Sequence, residues 1–244
     1  GAYYEMYYKA LHNFYLNSGQ SSYDAHYNAN ESLGAGSNER GLGYMAYSVP
    51  NGEMVIGENG RLNPNARLGN RVYNNGQYYT ILPDKWVDAA YRTALRQEYN
   101  MNVSTSTDKA RLYVSLGYLN NEGVAVNTNY NRYTARLKGD WQAKPWLSLS
   151  GNVGYTHNES TAITTDSDEK DDTYNLFYSL RRMAPIYPLF VRDGNGNIMR
   201  DGNGLVYDYG DATHHGLNRP ELGQTNLIQE SMLNTNKSTD NQMT

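Results

Sequence analysis

The sequence predicts an all-β fold: a partial antiparallel transmembrane β-barrel with long loops carrying short helices. Three observations predict it. First, residues 96–158 read in twos as four amphipathic strands joined by turns, because side chains alternate faces along a strand. Tyr133, Ala135, Leu137, Gly139 and Trp141 share one face; Arg132, Thr134, Arg136, Lys138 and Asp140 share the other. The next strand repeats the pattern, with Leu147, Leu149, Val153 and Tyr155 against Ser148, Ser150, Asn152 and Thr156. Second, aromatic residues mark the ends of the apolar face. Tyr133 and Trp141 end one strand, Trp146 lies across the turn, and Tyr155 is at the far end of the next. Aromatic ends on an apolar band of about 10 residues per strand mark outer-membrane barrels, so these four read as membrane-girdle aromatics. Third, mean hydropathy is −0.78 and no run approaches the roughly 20 apolar residues of a transmembrane helix, whereas barrel strands need only alternate.

The 24 tyrosines against 3 phenylalanines favour rings with a polar tip, suited to membrane interfaces and to sugar- or peptide-contacting loops. Net charge is −4, which argues against a nucleic-acid partner. With no cysteine, there is neither a disulfide framework nor a Cys-based metal site. No signal peptide is visible at Gly1, so an exported chain begins here inside a mature or truncated sequence.

Residues 1–95 read as a loop region with short helices. Tyr4, Tyr7, Tyr8, Leu11 and Tyr15 recur at helical spacing over residues 3–16, and Asn17-Ser18-Gly19 ends that helix. Residues 18–71 are rich in Gly, Asn and Ser and show no sustained period, so they read as one long loop. Gly34-Ala35-Gly36 and Gly41-Leu42-Gly43 lack the strand before and helix after that a phosphate cradle requires. Asn74-Asn75-Gly76 is a turn signal, and residues 83–88 form a short helical turn with Pro83 near its start.

Residues 96–158 carry the four strands. Turns at 105–109, 120–123 and 144–145 separate them, and Pro145 marks a strand end because it cannot donate to a ladder. Residues 159–244 read as a long loop leading into following strands. The polar segment 157–173 holds Asp166, Asp168, Glu169, Asp171 and Asp172, which read as a solvated run in preference to a calcium or substrate site. A short helix is expected over 174–183, and Pro185 and Pro188 force extended backbone after it. Asp193, Asn195 and Asn197 have the oxygen spacing of a calcium loop, but Ile198 and Gly204 stand where Gly and Glu are required, so paired Asn-Gly turns are favoured. His214 and His215, read on extended chain, point apart and make a poor metal site. After Pro220 no strong period is visible.

No catalytic constellation stands out. There is no nucleophile elbow, and the five histidines lack metal-ligand spacing. The reading is therefore of a non-enzyme, without cofactor or metal.

Several stretches resemble the SusC/RagA family of TonB-dependent outer-membrane transporters. They are Gln97-Glu98-Tyr99-Asn100, Ser106-Thr107-Asp108-Lys109, residues 113–123 (YVSLGYLNNEG), residues 132–137 (RYTARL) and Trp146-Leu147. Residues 3–11 (YYEMYYKAL) are similar to the helix of that family's first large loop. Residues 184–190 (APIYPLF), the paired Asp-Gly-Asn-Gly turns, residues 207–210 (YDYG) and Asn218-Arg219-Pro220 are similar to its third loop.

The resemblance implies a segment of a large barrel, of about 22 strands around an N-terminal plug. It implies location in the bacterial outer membrane, energy through TonB acting on a plug absent from these residues, and a SusD-like surface lipoprotein as partner. The cargo is an oligosaccharide or a peptide. Arg132, Arg136, Lys138, Asp140 and Asn152 then face the lumen, the turns at Thr107 and Pro145 face the periplasm, and the long loops face outside. The rival readings are a soluble secreted β-rich carbohydrate-binding domain and an extracellular glycoside hydrolase.

Overall fold

The computed structural model describes residues 1–35, 40–163 and 176–244. Gly36, the acidic cluster at 166–172 and the start of the helix expected over 174–183 lie outside the described residues. In chain order the elements are α1 (Ala2–Asn17), α2 (Ser22–Leu33), β1 (Tyr47–Ser48), β2 (Arg67–Leu68), β3 (Asn70–Asn74), β4 (Gln77–Ile81), α3 (Trp86–Ala90) and β5 (Arg96–Ser106). There follow β6 (Ala110–Glu122), β7 (Asn129–Lys144), β8 (Leu147–Ile163), α4 (Leu176–Arg182), β9 (Arg200–Asp201), β10 (Gly204–Leu205), α5 (Ala212–His215), α6 (Leu227–Leu233) and β11 (Thr235–Met243). Chain contacts divide these into two units: Gly1–Val87 with Ser167–Glu230, and Asp88–Asp166 with Ser231–Thr244.

The first unit is a loop module with its own core. Helix α1 lies where the tyrosine period puts it and buries Tyr4, Tyr8 and Leu11. The core is rich in tyrosine because each buried phenol reaches a polar partner. Tyr4 Oη donates to Tyr44 O (3.0 Å) and accepts from the Ala46 amide (2.9 Å), while Tyr187 Oη donates to Leu42 O (2.9 Å). Helix α2 corrects the expectation of an unbroken loop over 18–71. Ser21 caps it, accepting from the Asp24 amide (3.1 Å), and it buries Ala25, Ala29 and Leu33. Its Asn30 side chain pairs with Ile56 in both directions, at 3.0 and 2.8 Å, fixing an otherwise irregular segment.

Strands β3 and β4 form a hairpin through Asn75 (φ 48°) and Gly76 (φ 86°), the two positive-φ positions that a type I′ turn requires. The favoured turns at Asp193 and Asp201 are present. Asp193 Oδ1 accepts from the amides of Asn195 and Asn197, and β9 and β10 flank Gly202-Asn203. Asp84 ties the module together. It pairs with Arg192 at 2.6 Å and accepts the amide of Leu189 at 2.7 Å. Helix α5 replaces the extended chain expected at His214-His215: Asp211 caps it and Gly216 (φ 78°) ends it.

The second unit is a five-stranded antiparallel sheet in the order β11-β8-β7-β6-β5. The four expected strands are present, with two corrections. Strand β8 runs to Ile163, past the expected end at 158, so His157 and Glu159 are strand residues, not loop. The polar tail forms β11, which pairs with β8 from Thr235↔Ile163 to Met243↔Tyr155. Asn120, Asn121 and Glu122, expected in a turn, belong to β6, and the connection is 123–128. A β-bulge falls between Gln142 and Lys144, just before the turn at Pro145 and Trp146. Within the described residues the sheet is open, with β5 and β11 at its edges. No described helix is long and apolar enough to cross a membrane, which leaves strand crossings untouched.

Candidate functional site

The sheet carries two chemically opposite faces, and register makes each a set of rows. On the apolar face the central row is Val103, Val114, Leu137 and Val153. One row away lie Met101, Leu116, Ala135, Tyr155 and Met243. The next row is Tyr99, Tyr118, Tyr133 and His157, and their rings touch in sequence, with centroids 6.3, 5.1 and 5.9 Å apart. Tyr133 thus sits in a continuous ring ladder across four strands. Tyr155 is one row further in, but its hydroxyl donates to Asn241 Oδ1 (2.8 Å), which belongs to the ladder row.

At the other end Trp141 pairs in register with Ala110 and Leu149, and Trp146 occupies the turn with the Lys144 ammonium 5.5 Å from its ring. This face is open: Val103 is 60%, Leu137 49%, Val153 47% and Trp141 55% exposed. Tyr133 and Trp141 are eight residues apart on β7, about 27 Å of strand. At a tilt of about 40° that spans about 21 Å, close to the roughly 25 Å apolar band of an outer-membrane barrel.

The opposite face carries a polar residue in every row. Arg136 Nε donates to Asn152 Oδ1 (2.9 Å), joining two of the expected residues. Lys138 stands in register between Tyr113 and Asn152, Asp140 between Arg111 and Ser150, and Arg132 between Leu119 and Asn158. Among the described residues none of Arg132, Arg136 and Lys138 makes an ion pair. Arg111, opposite Asp140, completes the charged end of this face and was legible only once the register was known.

The loop module holds a buried ionic knot that the sequence did not flag. Asp208 Oδ1 accepts from Tyr44 Oη (3.0 Å), and His215 Nδ1 lies 3.3 Å from the same oxygen. Arg219 Nη1 is 3.6 Å from Asp208 Oδ2, while its Nη2 donates to the carbonyls of Leu222 (2.7 Å) and Thr225 (2.8 Å). The guanidinium also lies 5.4 Å from the Trp86 ring and 5.5 Å from the Tyr187 ring. Burial, and then the adjacent Asp208, pushes the Tyr44 phenol up, so it stays protonated and donates. Burial pushes Arg219 down against the opposing pull of Asp208.

Gly210 (φ 68°) is needed here, since a Cβ on it would lie 2.6 Å from Arg219 Cζ. Asp208, Gly210, His215 and Arg219 fall in one short segment, but Tyr44, Trp86 and Tyr187 join them from far along the chain, so only the fold completes the knot. The alternation that buries Asp208 turns Tyr207 and Tyr209 the other way, and α5 likewise buries His215 while His214 stays half-exposed. Among the described residues no three metal-ligating side chains converge.

No protein-family model matches the chain, and a search of the curated proteins finds no match.

Proposed function

We propose that this chain is part of the wall and outer loops of a TonB-dependent outer-membrane transporter importing glycans or peptides. One observation carries the reading: an exposed apolar face bounded by the Tyr99–Tyr118–Tyr133–His157 ring ladder at one end and, about 21 Å away, by Trp141 at the other, backed by a face with a polar residue in every row. In this reading the apolar face meets lipid, with Tyr133, Trp141, Trp146 and Tyr155 at its margins. Arg132, Arg136, Lys138, Asp140 and Asn152 line the lumen. A large barrel of about 22 strands supplies partners for the edges of β5 and β11, because an unpaired edge is not viable in lipid. A SusD-like lipoprotein covers the outer loops, and TonB supplies energy through a plug.

A soluble carbohydrate-binding domain would bury one sheet face, since soluble monomers rarely expose apolar patches beyond a few hundred Å². Residues such as Val103, Leu137 and Met101, each about half exposed or more, argue against it. Tryptophan fluorescence tests the reading. In vesicles with chain-brominated lipids, Trp141 and Trp146 should both be quenched, and Trp141→Phe should remove the Trp141 share of that quenching. Equal quenching in the variant would count against the assignment of this face to lipid.

A further inference from the structure

Five Asn-Gly dipeptides stand in the sequence, at Asn51, Asn59, Asn75, Asn195 and Asn203. Glycine has no Cβ, so its backbone nitrogen is the least hindered of any residue's in attacking the side chain before it. In four of the five a hydrogen bond holds one of the two reacting groups. The Gly60 amide donates to Gly57 O (2.8 Å) and the Gly196 amide to Asp193 O (3.0 Å). The Gly204 amide closes the β9–β10 turn onto Asp201. Asn75 Nδ2 donates to Thr213 O (3.1 Å), and the Asn75 backbone is fixed at φ 48° in the β3–β4 hairpin. Asn51 carries neither restraint. It and Gly52 are exposed in the turn 50–53, closed by the Glu53 amide on Pro50 O (3.0 Å). Gly52 has φ 84° at the third position, which makes this a type II turn and leaves Asn51 in extended backbone. Among the described residues, neither the Asn51 carboxamide nor the Gly52 amide makes a hydrogen bond. A Cβ built on Gly52 would meet no described atom within 4 Å.

From this contrast we infer that Asn51 is a self-modification site, turning into aspartate and isoaspartate as the protein ages. The Gly52 nitrogen attacks Asn51 Cγ, so a Cγ–N bond forms and the Cγ–Nδ2 bond breaks. Nδ2 takes up the proton that the Gly52 amide loses and leaves as ammonia. Water then opens the cyclic imide. Opening at Cγ leaves aspartate, and opening at the main-chain carbonyl leaves isoaspartate, with the chain rerouted through the side chain. One water is consumed, one ammonia is released, and no atom is oxidised or reduced. The fold sets the order of the five sites, because a hydrogen bond that must open first slows the step about fivefold, the Boltzmann factor of its net worth. The product carboxylate stands two residues from Glu53, whose own carboxylate accepts from Asn63 Nδ2 (2.8 Å) and Asn65 Nδ2 (3.0 Å) and clasps the turn to that segment. Isoaspartate also lengthens the main chain inside the ring that the Glu53–Pro50 bond closes. The inference stands apart from the transport reading, since it needs only this turn and water.

The test is peptide mapping by mass spectrometry of the whole protein in lipid vesicles, aged in mildly alkaline buffer. Labelling with an isoaspartate methyltransferase tells isoaspartate from aspartate. Asn51 should convert first, about fivefold faster than any other Asn-Gly site. Urea, which opens the hydrogen bonds, should bring the five rates together. Asn51→Gln, which lacks the geometry for the five-membered imide, should abolish the first acidic shift on isoelectric focusing. An Asn51 that stays intact while other Asn-Gly sites convert overturns the inference. So does a second site that converts as fast in the folded protein, an order of rates that survives in urea, or an early acidic shift that persists in Asn51→Gln.

Discussion

Leu137→Arg separates a lipid-facing wall from a wet sheet more sharply than any other single change. Leu137 is 49% exposed and lies in the central row, flanked in register by Val114 and Val153. In water, a substitution at such a surface site changes stability by no more than about 0.5 kcal/mol. On the lipid face of a barrel, an Arg at the midplane costs about 2–4 kcal/mol, falling to about 0–1 kcal/mol near the interface. Leu137 is four residues from Tyr133 and four from Trp141, about 14 Å of strand each way, which puts it at mid-depth. Tyr133→Arg, in the ring ladder, should therefore cost only about 0–1 kcal/mol. Arg136→Ala faces the other way and gives up its bond to Asn152, about 1 kcal/mol. The assay is urea unfolding in lipid vesicles, within the closed barrel. The expected order is Leu137→Arg well above the other two. A flat profile across all three refutes the depth argument.

Two further outcomes follow from the loop module. Arg219→Ala leaves Asp208 buried without its cation and should destabilise the module by about 3–5 kcal/mol, read as a lowered thermal midpoint of near-UV circular dichroism from Trp86 and the tyrosine core. Acidification should weaken the module through His214. Its folded pKa is depressed, so the unfolded state binds more protons, and stability falls as pH drops below about 6.5. His214→Gln should remove that part of the pH dependence in melts between pH 7.5 and 5.

How much of this was legible depended on what each segment had to bury. Strands β5 to β8 announce themselves because apolar residues recur every second position, and α1 because Tyr4, Tyr8 and Leu11 lie on one stripe. Strand β11 does not. In TNKSTDNQM only Met243 is apolar, and its strand identity comes from pairing with β8. Helix α2 buries small residues, Ala25 and Ala29, so its apolar stripe is faint despite the Ser21 cap. The Asn75-Gly76 turn carries a local signal and was visible, whereas Tyr44, Trp86 and Tyr187 join Asp208, His215 and Arg219 only through the fold. The expectation that His214 and His215 point apart assumed an extended chain. On helix α5 they also separate, one buried in the knot and one half-exposed, through helical geometry.

The most direct test of a wall with lipid on one side and lumen on the other uses the absence of native cysteine. Single-Cys variants from 132 to 141, spin-labelled in vesicles, report oxygen and water-soluble nickel accessibility residue by residue. The account predicts a period of two in opposite phase. Positions 133, 135, 137 and 139 should be oxygen-accessible and nickel-protected, and 132, 134, 136 and 138 the reverse. Nickel accessibility at both 136 and 137 would contradict it.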